Sequence, residues 1–183
     1  MPVFKNVENS KVMDSDSKEY WISRAVAVVV IPLFRLPDGS VQVPTGIRSN
    51  TTPDQHGKAG LVCGYLDWNE SAFEAVKREA WEELGVDLGA YFRQDEEPQP
   101  CFVQSHPSQD DRQNVTLRYR FMIDVEELPE LKTSKEVDHC LWIRDHHNYK
   151  AQCAFNHASL ISEAFYDQPR QFKFDKNGPP IVF

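Results

Sequence analysis

A chain of 183 residues, 40% hydrophobic and 11% aromatic, can build one ordinary domain with a sizeable core and is too short for two comfortable ones. A formal net charge of −8 and a pI near 5.2 argue against a surface that coats nucleic acid. Cys63, Cys101, Cys140 and Cys153 show no CxxC or Cys/His metal spacing, no basic-then-apolar leader opens the chain, and the apolar run 25–34 is too short to cross a bilayer, so a cytoplasmic protein with no membrane partner is expected.

Residues 1–17 are polar and lack period, and are expected to form a loosely held tail ahead of a domain over 18–168. Residues 20–34 contain the run Ala25-Val26-Ala27-Val28-Val29-Val30-Ile31, the pattern of a central strand buried on both faces. Leu36-Pro37-Asp38-Gly39-Ser40 is a turn, and 41–47 returns as the second strand of a hairpin. A polar loop follows over 48–60, then a short strand around Leu61-Val62-Cys63 that feeds Gly64. The spacing of Phe73, Val76, Ala80 and Leu84 predicts a helix over 71–84, stopped by Gly85 in the left-handed conformation. Strands are expected at 101–104, 115–125 and 139–143, with a polar turn over 107–113, a closing helix at 158–166 and an extended tail over 169–183. Without the regular βαβ rhythm of a doubly wound sheet, these elements call for a mixed α/β fold with helices on both faces.

Chemistry is concentrated in one stretch. Glu79, Glu82 and Glu83 stand three and four residues apart, so their carboxylates share one helical face and repel one another. A hard divalent cation would remove that repulsion, and an oxygen-rich acidic cluster is what Mg²⁺ selects. From Gly64 onward the chain runs through Glu70, Arg78-Glu79-Ala80, Glu82-Glu83 and Gly85-Val86 at the spacing G-x5-E-x7-R-E-U-x-E-E-x-G-U, where U is bulky and apolar. This resembles the Nudix box at every fixed position, with Ala80 smaller than the residue usual there.

The resemblance implies an α/β/α sandwich with a mixed central sheet, the box being loop–helix–loop. It implies an enzyme that hydrolyses a nucleoside diphosphate linked to another group, by attack of water on phosphorus with Mg²⁺, or Mn²⁺ in its place. Glu79 and Glu83 would then grip one ion, Glu82 a second ion or its waters, and the backbone carbonyl of Cys63 would be a further ligand. Arg78 would orient carboxylates through charge-assisted hydrogen bonds without touching substrate. Gly64 would permit a close backbone approach or a positive φ, and Glu70 would meet the positive end of the helix dipole. The general base is Glu82, Glu83 or Glu136, the last in Ser134-Lys135-Glu136-Val137, with Glu126, Glu127 and Glu130 as rivals.

Outside the box, Gly57-Lys58, the segment from Pro107 to Arg112 with Val115-Thr116 after it, and Ala154-Phe155-Asn156-His157 are similar to segments of ADP-ribose-type relatives. They favour ADP-ribose or a nucleoside-diphosphate sugar as the small-nucleotide partner, with Arg48, Lys58, Arg112 and Arg118 supplying charge for phosphates. His157 and His106 are either substrate contacts or structural; Tyr65, Trp68, Phe102 and Tyr119 either stack on a base or belong to the core. The alternatives are a nucleotide-sensing module without turnover, and an enzyme acting on oxidised nucleoside triphosphates or RNA caps. All box glutamates are present, which favours turnover, and a homodimer is left open.

Overall fold

The computed structural model describes residues 9–107, 113–144 and 152–166. β1 (Ser10–Met13) and β2 (Glu19–Ile22) form a separate antiparallel hairpin, so residues read from sequence as loose tail are strand-paired. The main sheet holds β3 (Val26–Arg35), β4 (Val41–Arg48), β5 (Ala59–Gly60), β6 (Val62–Tyr65), β7 (Phe102–Gln104), β8 (Val115–Asp124) and β9 (Val137–Ile143). Helix α1 (Ala72–Leu84) and helix α2 (His157–Tyr166) complete it, with one turn of 3-10 helix at Leu88–Tyr91 that periodicity did not reveal.

β3 is the organising strand. It pairs in parallel with β8 over its whole length, from Val26 opposite Val115 to Arg35 opposite Asp124, and its other neighbours are antiparallel, so the sheet is mixed as expected. Because strand side chains alternate, Val28, Val30 and Phe34 enter one core with Phe73, Val76, Ala80 and Leu84 of α1. Val29, Ile31 and Leu33 enter a second core with Leu160, Ile161 and Ala164 of α2. One helix therefore covers each face.

The expected hairpin between β3 and β4 is closed only at its turn end, where Phe34 faces Gln42 and Arg35 faces Val41. Beyond that the strands part: β3 takes β6 along residues 27–30, and β4 takes β9 and β5. Pro32, which has no N–H to donate, falls in the part of β3 that neither β4 nor β6 pairs. The fork sets the end of β4, the β5–β6 segment and the start of β9 beside the C-terminal half of α1.

Candidate active site

Helix α1 is held at both ends by local chemistry. Ser71 accepts the Glu74 N–H through its hydroxyl at 3.3 Å, and the Glu74 carboxylate accepts the Ser71 N–H at 2.7 Å, a reciprocal capping box. Ser71 and Glu74 thus cap the helix, a pair that the S-x-x-E spacing signals and that the expectation of a dipole-facing Glu70 did not include. At the other end Gly85 takes φ +68° and its N–H closes onto Trp81.

Glu70 instead anchors Arg78. Its two oxygens accept from Arg78 Nη2 at 2.7 Å and Nε at 3.0 Å, which holds the Glu70 carboxyl below the usual carboxylate range. The same guanidinium donates to Glu79 at 2.7 Å, Glu82 at 3.1 Å and the Tyr65 carbonyl at 2.9 Å. Arg78 therefore gathers box carboxylates around one planar fork, the orienting part read from its position. Gly64 lies against them with no positive φ; a Cβ there would sit 1.9 Å from Glu79 Oε1. Of the two reasons offered for this glycine, close approach is the operative one.

Glu83 has different company. Its Oε2 accepts the Cys63 N–H at 3.4 Å, and it lines a small cavity together with Arg48, Thr52 and Glu136. Burial, then the charge of Glu79, pushes its carboxyl well above the usual range, and Glu136 adds to this. Glu79 is raised as well, by burial first, although Arg78 opposes the shift. Burial and the nearby acids push the Cys63 thiol up, so it stays protonated and is no anionic ligand.

Among the described residues no three acidic, His or Cys side chains converge into a ready-made coordination shell. Glu79 and Glu82 are drawn onto Arg78, and Glu83 stands on the Cys63 amide. The donor set nevertheless fits a hard cation. Two carboxylates a helical turn apart are desolvated and mutually repelling, and the missing side chain at Gly64 lets the Glu79 carboxylate pack directly against the β6 backbone beside Cys63.

The structure brings Arg48 and Glu136 to Glu83, through a break of register in the β4–β9 pairing at Ile47/Arg48. Arg48 is fixed by the Asp54 carbonyl at 3.1 Å and lies 5.2 Å from the centre of the Phe155 ring. Glu126, Glu127 and Glu130 do not line the cavity. Lys58 is bound to Gln55 on the exposed loop, and Arg118 stacks on Phe102 at 4.9 Å; Arg112 and residues 108–111 lie outside the described residues. Tyr119 is core, whereas Tyr65, Trp68 and Phe102 are exposed. His157 is structural: buried, it accepts the Leu61 N–H at Nδ1 over 3.0 Å, and its pKa is lowered to about 4 by burial and by Arg48 and Arg118. Sequence reasoning missed Ser49 and Thr51, which grip the Glu136 loop and carried no signal beyond membership of a polar loop.

Comparison with known families places residues 23–162 in the NUDIX domain. No curated relative matches the chain. Among solved structures, a bifunctional NMN adenylyltransferase/ADP ribose pyrophosphatase from Francisella tularensis is 17% identical over 79% of this chain, with a TM-score of 0.58; this chain spans only 41% of its length. A NUDIX hydrolase from Nitrosomonas europaea is 17% identical, covering 88% of this chain and 90% of its own, at a TM-score of 0.62. The NUDIX domain of Shewanella oneidensis NrtR, solved with ADP ribose, is 18% identical, covering 85% and 94%, at 0.58. At these identities the structures establish a shared fold. No described helix is long and apolar enough to cross a membrane.

Proposed function

From the premise that the chain belongs to the Nudix family of pyrophosphohydrolases, we propose that it hydrolyses the pyrophosphate of a nucleoside diphosphate joined to another group, ADP-ribose or a nucleoside-diphosphate sugar foremost. The observation that carries this reading is the meeting of Glu83, Glu136 and Arg48 around one cavity at the foot of the box helix. The substrate class is supported by relatives whose structures concern ADP-ribose, and by Ala154-Phe155-Asn156-His157, whose Phe155 underlies Arg48.

A pyrophosphate repels an incoming water or hydroxide through its own negative charge, so catalysis is largely charge neutralisation and positioning. Glu79 and Glu83, the Cys63 carbonyl and Glu82 are the residues that would hold Mg²⁺, whose chemistry is to draw charge off the phosphate oxygens. Arg78 keeps the carboxylates aimed, and Arg48 offers positive charge at the cavity. Glu136 is exposed, beside the desolvated Glu83, and takes the proton of the attacking water. The water oxygen bonds to phosphorus, the bridging P–O bond breaks, and ADP-ribose leaves as AMP and a sugar phosphate. In this reading Lys58, Arg112 and Arg118 are further cations for the substrate phosphates, in a cytoplasmic enzyme.

The test compares products from ADP-ribose and from a nucleoside triphosphate, each with Mg²⁺ and with EDTA. Faster release of AMP from ADP-ribose, abolished by EDTA, is expected. Preference for the triphosphate overturns the substrate class, and turnover unaffected by EDTA overturns the role of the ion.

A further inference from the structure

Glu136 ends a short segment with no strand or helix of its own, immediately before β9. Such a segment leaves a base free to wander, and a displacement of about 1 Å at a reacting centre can cost on the order of a hundredfold in rate. Here the segment is held by the loop that follows β4. The Ser49 N–H donates to the Glu136 carbonyl at 2.8 Å. The Lys135 carbonyl lies 2.8 Å from Ser49 Oγ and 2.7 Å from Thr51 Oγ1, and the two hydroxyls are 2.8 Å apart. With one proton each, both can reach Lys135, or one can pass through the other; either way the carbonyl is satisfied.

The gripping loop is itself braced. Thr52 Oγ1 donates to the Ser49 carbonyl at 2.8 Å, the Thr51 N–H donates to Ser49 Oγ at 3.1 Å, and Ser49 and Thr52 are buried. The register break places this loop correctly: Ile47 faces His139, Arg48 faces Val137, and Ser49 then falls opposite Glu136. On the far side the Glu136 N–H donates to Ser134 Oγ at 3.3 Å. Two hydroxyl side chains thus add a clamp that backbone pairing alone does not provide.

We infer that Ser49 and Thr51 are positioning residues for hydrolysis, acting through the Lys135 carbonyl to hold Glu136 over the Glu83 cavity. This rests on Glu136 being the base, and the experiment separates the two claims. Steady-state kinetics with ADP-ribose and Mg²⁺ are measured for the wild type, Glu136→Gln, the Ser49→Ala/Thr51→Val pair, and the pair combined with Glu136→Gln. Thr51→Val alone and Thr51→Ser, at an exposed position that leaves the fold intact, guard against a pair that fails to fold. The pair lowers kcat by about tenfold with KM within about twofold, and within Glu136→Gln it changes kcat by less than about twofold, because the group it positions is already gone. Thr51→Val lowers kcat by a smaller factor and Thr51→Ser restores it. An equal loss in both backgrounds overturns the inference, since the clamp then acts through the fold. A pair with wild-type kcat while Glu136→Gln is slow overturns the clamp alone, and a Glu136→Gln enzyme with wild-type kcat overturns the base assignment and the clamp with it.

Discussion

Two sides of the box carboxylate cluster handle negative charge in opposite ways. On one, Glu70, Glu79 and Glu82 are bound to Arg78, a single cation with five donors in a fixed fork. On the other, Glu83 has one long hydrogen bond from an amide and acidic neighbours in Glu79 and Glu136. The paired face is built for order. The unpaired face holds a desolvated carboxylate that the fold leaves uncompensated, and such a cost persists where it serves function.

The largest effect that can break this contrast comes from Glu83→Gln. The amide keeps the shape and removes the charge, so kcat falls by about a thousandfold or more while the fold persists. A group whose folded pKa is raised destabilises the protein increasingly as pH climbs above its ordinary value of 4.5. The substitution lifts that burden, so near neutral pH without divalent ions Tm rises by about 3 °C, and added Mg²⁺ raises Tm less than in the wild type. A variant that is both active and less stable would show that Glu83 is a structural carboxylate like Glu70. On the paired face, Arg78→Lys keeps the charge and loses the fork. One ammonium cannot serve Glu70, Glu79, Glu82 and the Tyr65 carbonyl together, so thermal unfolding should record a loss of about 1–3 kcal/mol. kcat should drop about tenfold as Glu79 loses its aim; unchanged stability would mean the fork is dispensable.

The contrast marks where sequence reasoning reached and where it stopped. The box was legible because helical spacing maps directly onto a face and puts Arg78 beside Glu79 and Glu82, whereas the close approach of Gly64 to Glu79 is a contact between β6 and α1. The strands around it were legible from β-branched runs. β1 was not, because Ser-Lys-Val-Met is short, exposed on both faces and paired only to β2. The capping box was legible and overlooked. What no local pattern could supply is the meeting of Glu136 with Glu83, which depends on a forked hairpin and a one-residue slip between β4 and β9. The same holds for Ser49, which looked like any loop serine until the register put it under a carbonyl.

A third buried titratable group sharpens the comparison from the opposite face of the sheet. His157 sits at the start of α2, faces Arg48 and Arg118, and accepts the Leu61 N–H just ahead of the strand that carries Cys63. It is the reverse of Glu83: a base that burial and two cations keep neutral, with its bond made. Its pKa is lowered from 6.5 to about 4, so between those values the unfolded chain binds a proton that the folded one refuses. Stability from this group is complete above pH 6.5 and drains away as pH falls toward 4, on the order of 3 kcal/mol in all. Asn at this position keeps an oxygen near Nδ1 and cannot take up the proton. Denaturant unfolding of His157→Asn across this range should therefore show a shallower acid slope than the wild type, with stability at pH 7 reduced by about 1 kcal/mol. A slope that does not change would mean that the acid sensitivity belongs to the carboxylates, and that His157 is held by packing alone.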